Sequence, residues 1–160
     1  EDPNPVMFFE HKGMYRTLSD DIPNGYYNVE IGKGAYAKKG DTLSIITYGM
    51  GVHWAMDAAE RLGIDAEIVD LRSIQPLDYQ IIEETTKKTS KVLILHEDSL
   101  FGGIGGEISA YISENLFEHL DGPVIRVAGL DTPIPFAGVL EEKYMATYRL
   151  DDAMNKLINY

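Results

Sequence analysis

Short β-branched apolar runs alternate along this chain with longer stretches of helical periodicity. Thr42 to Tyr48 (TLSIITY) is a compact apolar run that breaks at Gly49-Met50-Gly51. A helical pattern follows, with Val52, Ala55, Met56 and Ala59 on one face and Asp57, Glu60 and Arg61 pointing away. Gly63 stops it. Asp65 to Leu71 is the next strand, and Asp78 is placed to cap a helix whose Ile81 and Ile82 face inward. Glu83–Lys87 and Glu84–Lys88 pairs are assigned to that helix's wet side. Lys91 to Leu95 (KVLIL) reads as a strand buried on both faces, and a glycine-rich turn leads into a helix from about Gly106 to Leu120. Val124 to Ala128 is a further strand. Leu150, Ala153, Met154, Leu157 and Ile158 mark a C-terminal amphipathic helix. Asn28 to Ala37 is one more strand candidate, weakened by glycines at 32 and 34.

This alternation predicts right-handed βαβ units, hence an α/β fold with a mostly parallel sheet and helices on both faces. The first two dozen residues differ. Pro5 to Glu10 (PVMFFE) is strand-like, and polar and turn residues follow through Gly25. Residues 1–24 therefore read as the last strand of something else plus a linker, and 25–160 as the main domain. An ordinary N-terminal edge strand is the plainer alternative. Detached from a parent sheet, residues 1–24 are expected to be disordered or to pair with a neighbouring chain.

Composition narrows the function classes. With 160 residues and 44% hydrophobic content, the chain has the size and balance of one globular domain. The formal charge of −12 opposes binding to a phosphate backbone, so nucleic acid is not an expected partner. No apolar run approaches the roughly 20 residues of a membrane span. No basic segment with an apolar stretch after it marks a signal peptide. The start at Glu1-Asp2-Pro3 reads as an excised or processed piece. Absence of cysteine removes disulfide and thiolate chemistry.

Two clusters invite chemical readings. Phe101-Gly102-Gly103-Ile104-Gly105-Gly106-Glu107 lies between a strand and a helix, where free N–H groups and the helix dipole can hold an anion. The dinucleotide fingerprint starting at Gly103 needs a glycine where Ile108 stands, and the phosphate-cradling Lys-Ser/Thr is absent. The pattern favours a tight turn for close helix–sheet packing over an anion loop of Gly102, Gly103, Gly105 and Gly106. His96-Glu97-Asp98 sits at the end of the KVLIL strand, where ligands gather in open α/β sheets. An acid–base pair or one arm of a metal site is one reading of His96 and Glu97. A polar strand end that hydrogen-bonds the glycine loop is the other, and the scatter of the remaining histidines (11, 53, 119) favours it. No G-x-S-x-G elbow is present.

Several motifs, taken in order, resemble one family. Pro5-Val6-Met7-Phe8-Phe9-Glu10-His11-Lys12, Thr47-Tyr48-Gly49-Met50-Gly51-Val52-His53 and Ala66 to Asp78 (AEIVDLRSIQPLD) are followed by His96-Glu97, Gly102 to Ile108 and Arg126 to Pro135 (RVAGLDTPIP). Nearly the whole chain is similar to the C-terminal part of beta subunits of thiamine-diphosphate-dependent 2-oxoacid dehydrogenases. Branched-chain (2-oxoisovalerate) members are nearest and pyruvate members next. The matching domain of a transketolase or a deoxyxylulose-phosphate synthase is a looser match, and an independent anion- or nucleotide-binding module using the Gly102–Gly106 loop is the rival reading.

The resemblance implies a three-layer α/β/α fold of the transketolase C-terminal type. Its five-stranded mixed sheet has an antiparallel first strand, here residues 28–37. It implies that thiamine diphosphate and magnesium bind in the full enzyme but outside this chain, which has no catalytic, cofactor-binding or metal-binding residue. Implied partners are an alpha subunit (or alpha portion of the same protein), a second beta subunit and the basic subunit-binding domain of an acyltransferase core. Docking of that basic domain falls to Asp121, within Asp121-Gly122-Pro123-Val124-Ile125-Arg126-Val127, with the carboxylate of Tyr160 as a second candidate. The implied location is the bacterial cytoplasm or, in a eukaryote, the mitochondrial matrix.

Overall fold

The computed structural model describes residues 3–160. Five strands, β1 (Ala35–Lys38), β2 (Leu43–Thr47), β3 (Ala66–Asp70), β4 (Val92–Ser99) and β5 (Ile125–Gly129), form one sheet in the order β1-β3-β2-β4-β5. β1 is antiparallel to β3 and every other pairing is parallel. The helices are α1 (Met50–Leu62), α2 (Tyr79–Thr89), α3 (Ile104–Asn115), α4 (Gly138–Tyr144) and α5 (Thr147–Ile158).

Strand alternation divides the core between the two faces of the sheet. Leu43, Ile45, Ile68, Leu93 and Leu95 pack against Ala55, Ala58 and Ala59 of α1 and Leu150, Met154 and Leu157 of α5. Ile46, Val69 and Ile94 pack against Ile81 and Ile82 of α2 and Ile108 and Ile112 of α3. The result is the expected three-layer α/β/α arrangement. β2 lies at the centre with all five residues buried, which explains why TLSIITY lacks polar alternation.

The structure departs from the sequence expectations at several places. β1 starts at Ala35 rather than at Asn28, because the backbone ahead of it has other partners. The Gly32 amide donates to Ser73 Oγ at 2.8 Å and the Gly34 amide to Asp78 Oδ2 at 3.0 Å. Asp78 thereby serves two segments, since its other carboxylate oxygen accepts from the Ile81 amide and caps α2. On α1 the buried stripe is Gly51, Ala55, Ala58 and Ala59, whereas Met56 is 38% exposed. Small residues there let the helix approach the sheet closely. α3 begins at Ile104 and ends at Asn115, followed by a separate 3-10 turn at Phe117–His119. The short helix α4 carries no periodic apolar stripe and was not expected.

The Glu83–Lys87 pair forms at 2.8 Å, but Glu84–Lys88 does not. Lys88 Nζ turns to the buried carboxylate of Glu67 at 2.6 Å, which also accepts from Thr85 Oγ1 at 2.8 Å. A fully buried carboxylate needs such compensation, and that demand outweighs a solvated pair within the helix. Glu84 instead accepts from Gln80 and from the Tyr36 hydroxyl. Residues 3–24 add no strand to the sheet. Pro5 to Glu10 is exposed and non-strand, and Lys12–Arg16 is a 3-10 turn.

Candidate functional site

β4 carries the polar strand end into two different environments. His96 is fully buried, whereas the side chain of the next residue, Glu97, is 53% exposed. Successive strand residues face opposite sides, so the two do not assemble as an acid–base dyad. His96 Nδ1 lies 3.1 Å from the Asp98 carbonyl oxygen, which fits an Nδ1–H donor. Its ring stacks at 17° to that of Tyr48, with centroids 6.5 Å apart. Burial lowers the affinity of His96 for a proton, against the smaller opposing pull of Asp98. Its Nε2 is buried and has no hydrogen-bond partner among the described residues. Glu97 meets the imidazole of His11 at 3.4 Å.

The glycine run covers the His96 ring. A Cβ on Gly103 would stand 2.5 Å from the Ser99 carbonyl oxygen and 2.6 Å from His96 Cε1. A Cβ on Gly105 would stand 2.7 Å from His96 Nε2. Gly102 has a left-handed φ of 73°, which glycine adopts without a steric cost. A Cβ on Gly106, by contrast, would meet nothing nearer than Arg126 Nη1 at 3.5 Å. Loop amides are engaged internally, the Phe101 amide with Asp131 Oδ1 at 2.8 Å and the Gly106 amide with the Gly103 carbonyl at 3.0 Å. These contacts account for Gly102, Gly103 and Gly105 through backbone geometry and packing, with no ligand needed.

Asp121 and Tyr160 lie at the opposite end of the sheet, before the start of β5. The Asp121 amide donates to the Ser90 carbonyl at 2.8 Å, which fixes the turn. The adjacent Gly122 lies against the last residue, since a Cβ there would be 3.0 Å from Tyr160 Cβ. Lys91 Nζ donates to the Ile158 carbonyl at 2.9 Å and ties down the end of α5. The fold thus brings both docking candidates to one corner. Beside them a shallow groove is lined by Ser113, Phe117, Leu120, Asp121 and Val124. Phe117 is 75% exposed, a feature that sequence reading missed because it sat inside an expected helix.

Among the described residues, no group of three or more His, Cys, Asp or Glu side chains is placed to hold a metal ion. The glycine loop lacks a lysine to meet a phosphate, and its helix carries Glu107 in the first turn. No described helix is long and apolar enough to cross a membrane.

Comparison with known proteins follows the same lines. The chain is 43% identical over 99% of its length to a 2-oxoisovalerate dehydrogenase subunit beta of Bacillus subtilis, covering 50% of that protein. It is 39% identical over 99% of its length to a mitochondrial 2-oxoisovalerate dehydrogenase subunit beta 2 of Arabidopsis thaliana, covering 45% of it. A pyruvate dehydrogenase E1 component subunit beta of Porphyra purpurea is 38% identical over 99% of this chain, which covers 49% of that protein. The chain therefore spans about half the length of the curated relatives it matches. Among solved structures, a split-gene transketolase, described as an inactive beta4 tetramer, superposes with a TM-score of 0.71. That match has 28% identity and covers 88% of this chain and 46% of the other. Residues 32–149 match the family described as the C-terminal domain of transketolase, and the chain belongs to that family.

Proposed function

We propose that this chain is the C-terminal assembly and docking domain of the beta subunit of a thiamine-diphosphate-dependent 2-oxoacid dehydrogenase of the 2-oxoisovalerate type, and that it is not catalytic by itself. Residues 1–24 are then the tail of the preceding domain and its linker, and 25–160 the domain proper. Thiamine diphosphate and magnesium belong to parts of the enzyme outside this chain. Partners are the alpha subunit, a second beta subunit and the basic subunit-binding domain of the acyltransferase core. The compartment is the bacterial cytoplasm or the mitochondrial matrix, since relatives include both bacterial and mitochondrial proteins.

The observation that carries the docking role is the convergence of Asp121, Tyr160 and exposed Phe117 on one corner of an acidic domain. A carboxylate beside an exposed aromatic ring and an apolar groove suits a basic partner, with the charge steering approach and the ring supplying area. Assembly draws on a separate surface, where Ile134, Phe136, Val139 and Leu140 are all more than half exposed. The transketolase relative is described as a beta4 tetramer, which supports self-association of such domains.

The test is binding of the basic domain to the assembled enzyme, measured by surface plasmon resonance at two salt concentrations. Asp121→Ala is expected to weaken binding about tenfold, equivalent to ~1.4 kcal/mol, and to flatten the salt dependence. Unchanged affinity and unchanged salt dependence would remove Asp121 from the docking surface.

A further inference from the structure

A second feature lies at the other end of the sheet. The connections leave β2 and β4 toward opposite faces, α1 to one and α3 to the other. That reversal opens a crevice beyond the carboxyl ends of these neighbouring strands, the place where open α/β sheets receive ligands. A cavity of about 420 Å³ occupies it, within the range of small-molecule sites. Its polar and aromatic lining comes from four elements. Tyr48 follows β2, Trp54 lies on α1, Glu97 and Asp98 end β4, and Glu141 and Tyr144 lie on α4. The rest of the lining is apolar, and no lysine, arginine or histidine takes part.

We propose that this cavity binds an organic cation, an ammonium group carried on a small apolar body. Aromatic faces attract cations through their quadrupoles, the more strongly when water is excluded. Here three rings and three carboxylates surround one space, so a cation meets both kinds of attraction while its apolar body covers the ring surfaces. Among the described residues neither Asp98 nor Glu141 takes part in an ion pair. Arg149, near α4, is committed elsewhere, donating to the carbonyls of Ala128, Lys143 and Tyr144. Glu97 already accepts a nitrogen from the chain itself, His11 Nε2 at 3.4 Å. Burial, with Asp98 and Glu97 nearby, holds the Tyr48 phenol above its ordinary range, so its ring faces the cavity uncharged. An anion would meet repulsion from the three carboxylates, and a neutral apolar molecule would bring no counter-charge to Asp98 and Glu141.

The chain contains one tryptophan, Trp54, and it lines this cavity, so its fluorescence reports the site directly. The probes are phenethylammonium, neutral 2-phenylethanol and anionic 3-phenylpropionate, matched in shape and titrated into the full chain at pH 7. Phenethylammonium is expected to give a saturable change in Trp54 emission, at least tenfold tighter than either other probe. Glu97→Gln combined with Glu141→Gln is expected to weaken it at least tenfold, and Tyr144→Leu at least threefold, with unfolding midpoints as controls. A blocked lysine amide, run as a competitor, tells whether a protein side chain outbids the free amine for the same chemistry. Equal response to 2-phenylethanol, a non-saturating response, or full affinity in the folded Glu97→Gln, Glu141→Gln variant would each overturn the proposal. Asp121→Ala leaves this titration unchanged, so the two sites fail or stand separately.

Discussion

Alanine substitutions across the glycine run have effects of opposite sign, set by what each new methyl group would touch. Gly105 lies in the first turn of α3, where alanine is intrinsically better than glycine by up to ~1 kcal/mol. Its Cβ, however, would sit 2.7 Å from His96 Nε2 and 3.0 Å from Cδ2, and His96 is fully buried with Tyr48 stacked on its ring. Overpacking of this kind costs about 1–3 kcal/mol, so a net loss of ~1–2 kcal/mol is expected for Gly105→Ala. In a domain of this size that lowers the thermal midpoint by about 2–8 °C. Gly103→Ala is expected to be worse, because its Cβ meets the Ser99 carbonyl at 2.5 Å and backbone cannot rotate away. Gly106→Ala has open space around it and gains ~0.5–1 kcal/mol from helix propensity alone. Thermal and urea unfolding of the four variants Gly102→Ala, Gly103→Ala, Gly105→Ala and Gly106→Ala measures the series. A double-mutant cycle then isolates the cause, since in a His96→Ala background Gly105→Ala should turn neutral or stabilising. If Gly106→Ala proved as damaging as Gly105→Ala, or the cycle showed no coupling, packing on His96 would not explain these glycines.

Other expectations follow from the same contacts. His96 binds a proton less readily when folded than its ordinary value of 6.5, so the unfolded chain takes up more protons just below that pH. The stability tied to its neutral form is complete above about pH 6.5 and is lost as pH falls toward the depressed folded value, by at most ~1.4 kcal/mol per pH unit. Urea midpoints measured between pH 7.5 and 5.5 should fall in the parent chain and fall less steeply in His96→Ala; identical slopes would contradict the assignment. Met154, on the inner face of α5, is fully buried, and Met154→Ala should cost ~2–5 kcal/mol. Met56→Ala, at a site 38% exposed, should stay within ~0.5–1 kcal/mol by denaturant titration, and a loss as large as that of Met154→Ala would return Met56 to the inner face of α1.

Elements with strong, uninterrupted periodicity were legible in the sequence, and those governed by long-range partners were not. The run Thr42–Tyr48, the DAEIVDL strand and the α5 stripe each announce themselves, because burial on a face imposes a local repeat. α4 escaped notice because its seven residues carry no buried stripe. The true start of β1 was invisible because it depends on Ser73 and Asp78, some forty residues away. Lys88 was placed with Glu84 by helical spacing, although a buried Glu67 on a neighbouring strand holds the stronger claim.

The same division runs through the function. The ordered motifs by themselves determined the family and the α/β class, since those follow from local pattern and order along the chain. Tertiary structure alone decided that His96 and Glu97 face apart, that Gly103 and Gly105 pack on His96, and that Asp121 shares a corner with Tyr160. It alone gathered Tyr48, Trp54, Glu97, Asp98, Glu141 and Tyr144 around one cavity. Sites are made by residues distant in sequence, and their meeting depends on crossover handedness and sheet order, which no local spacing encodes.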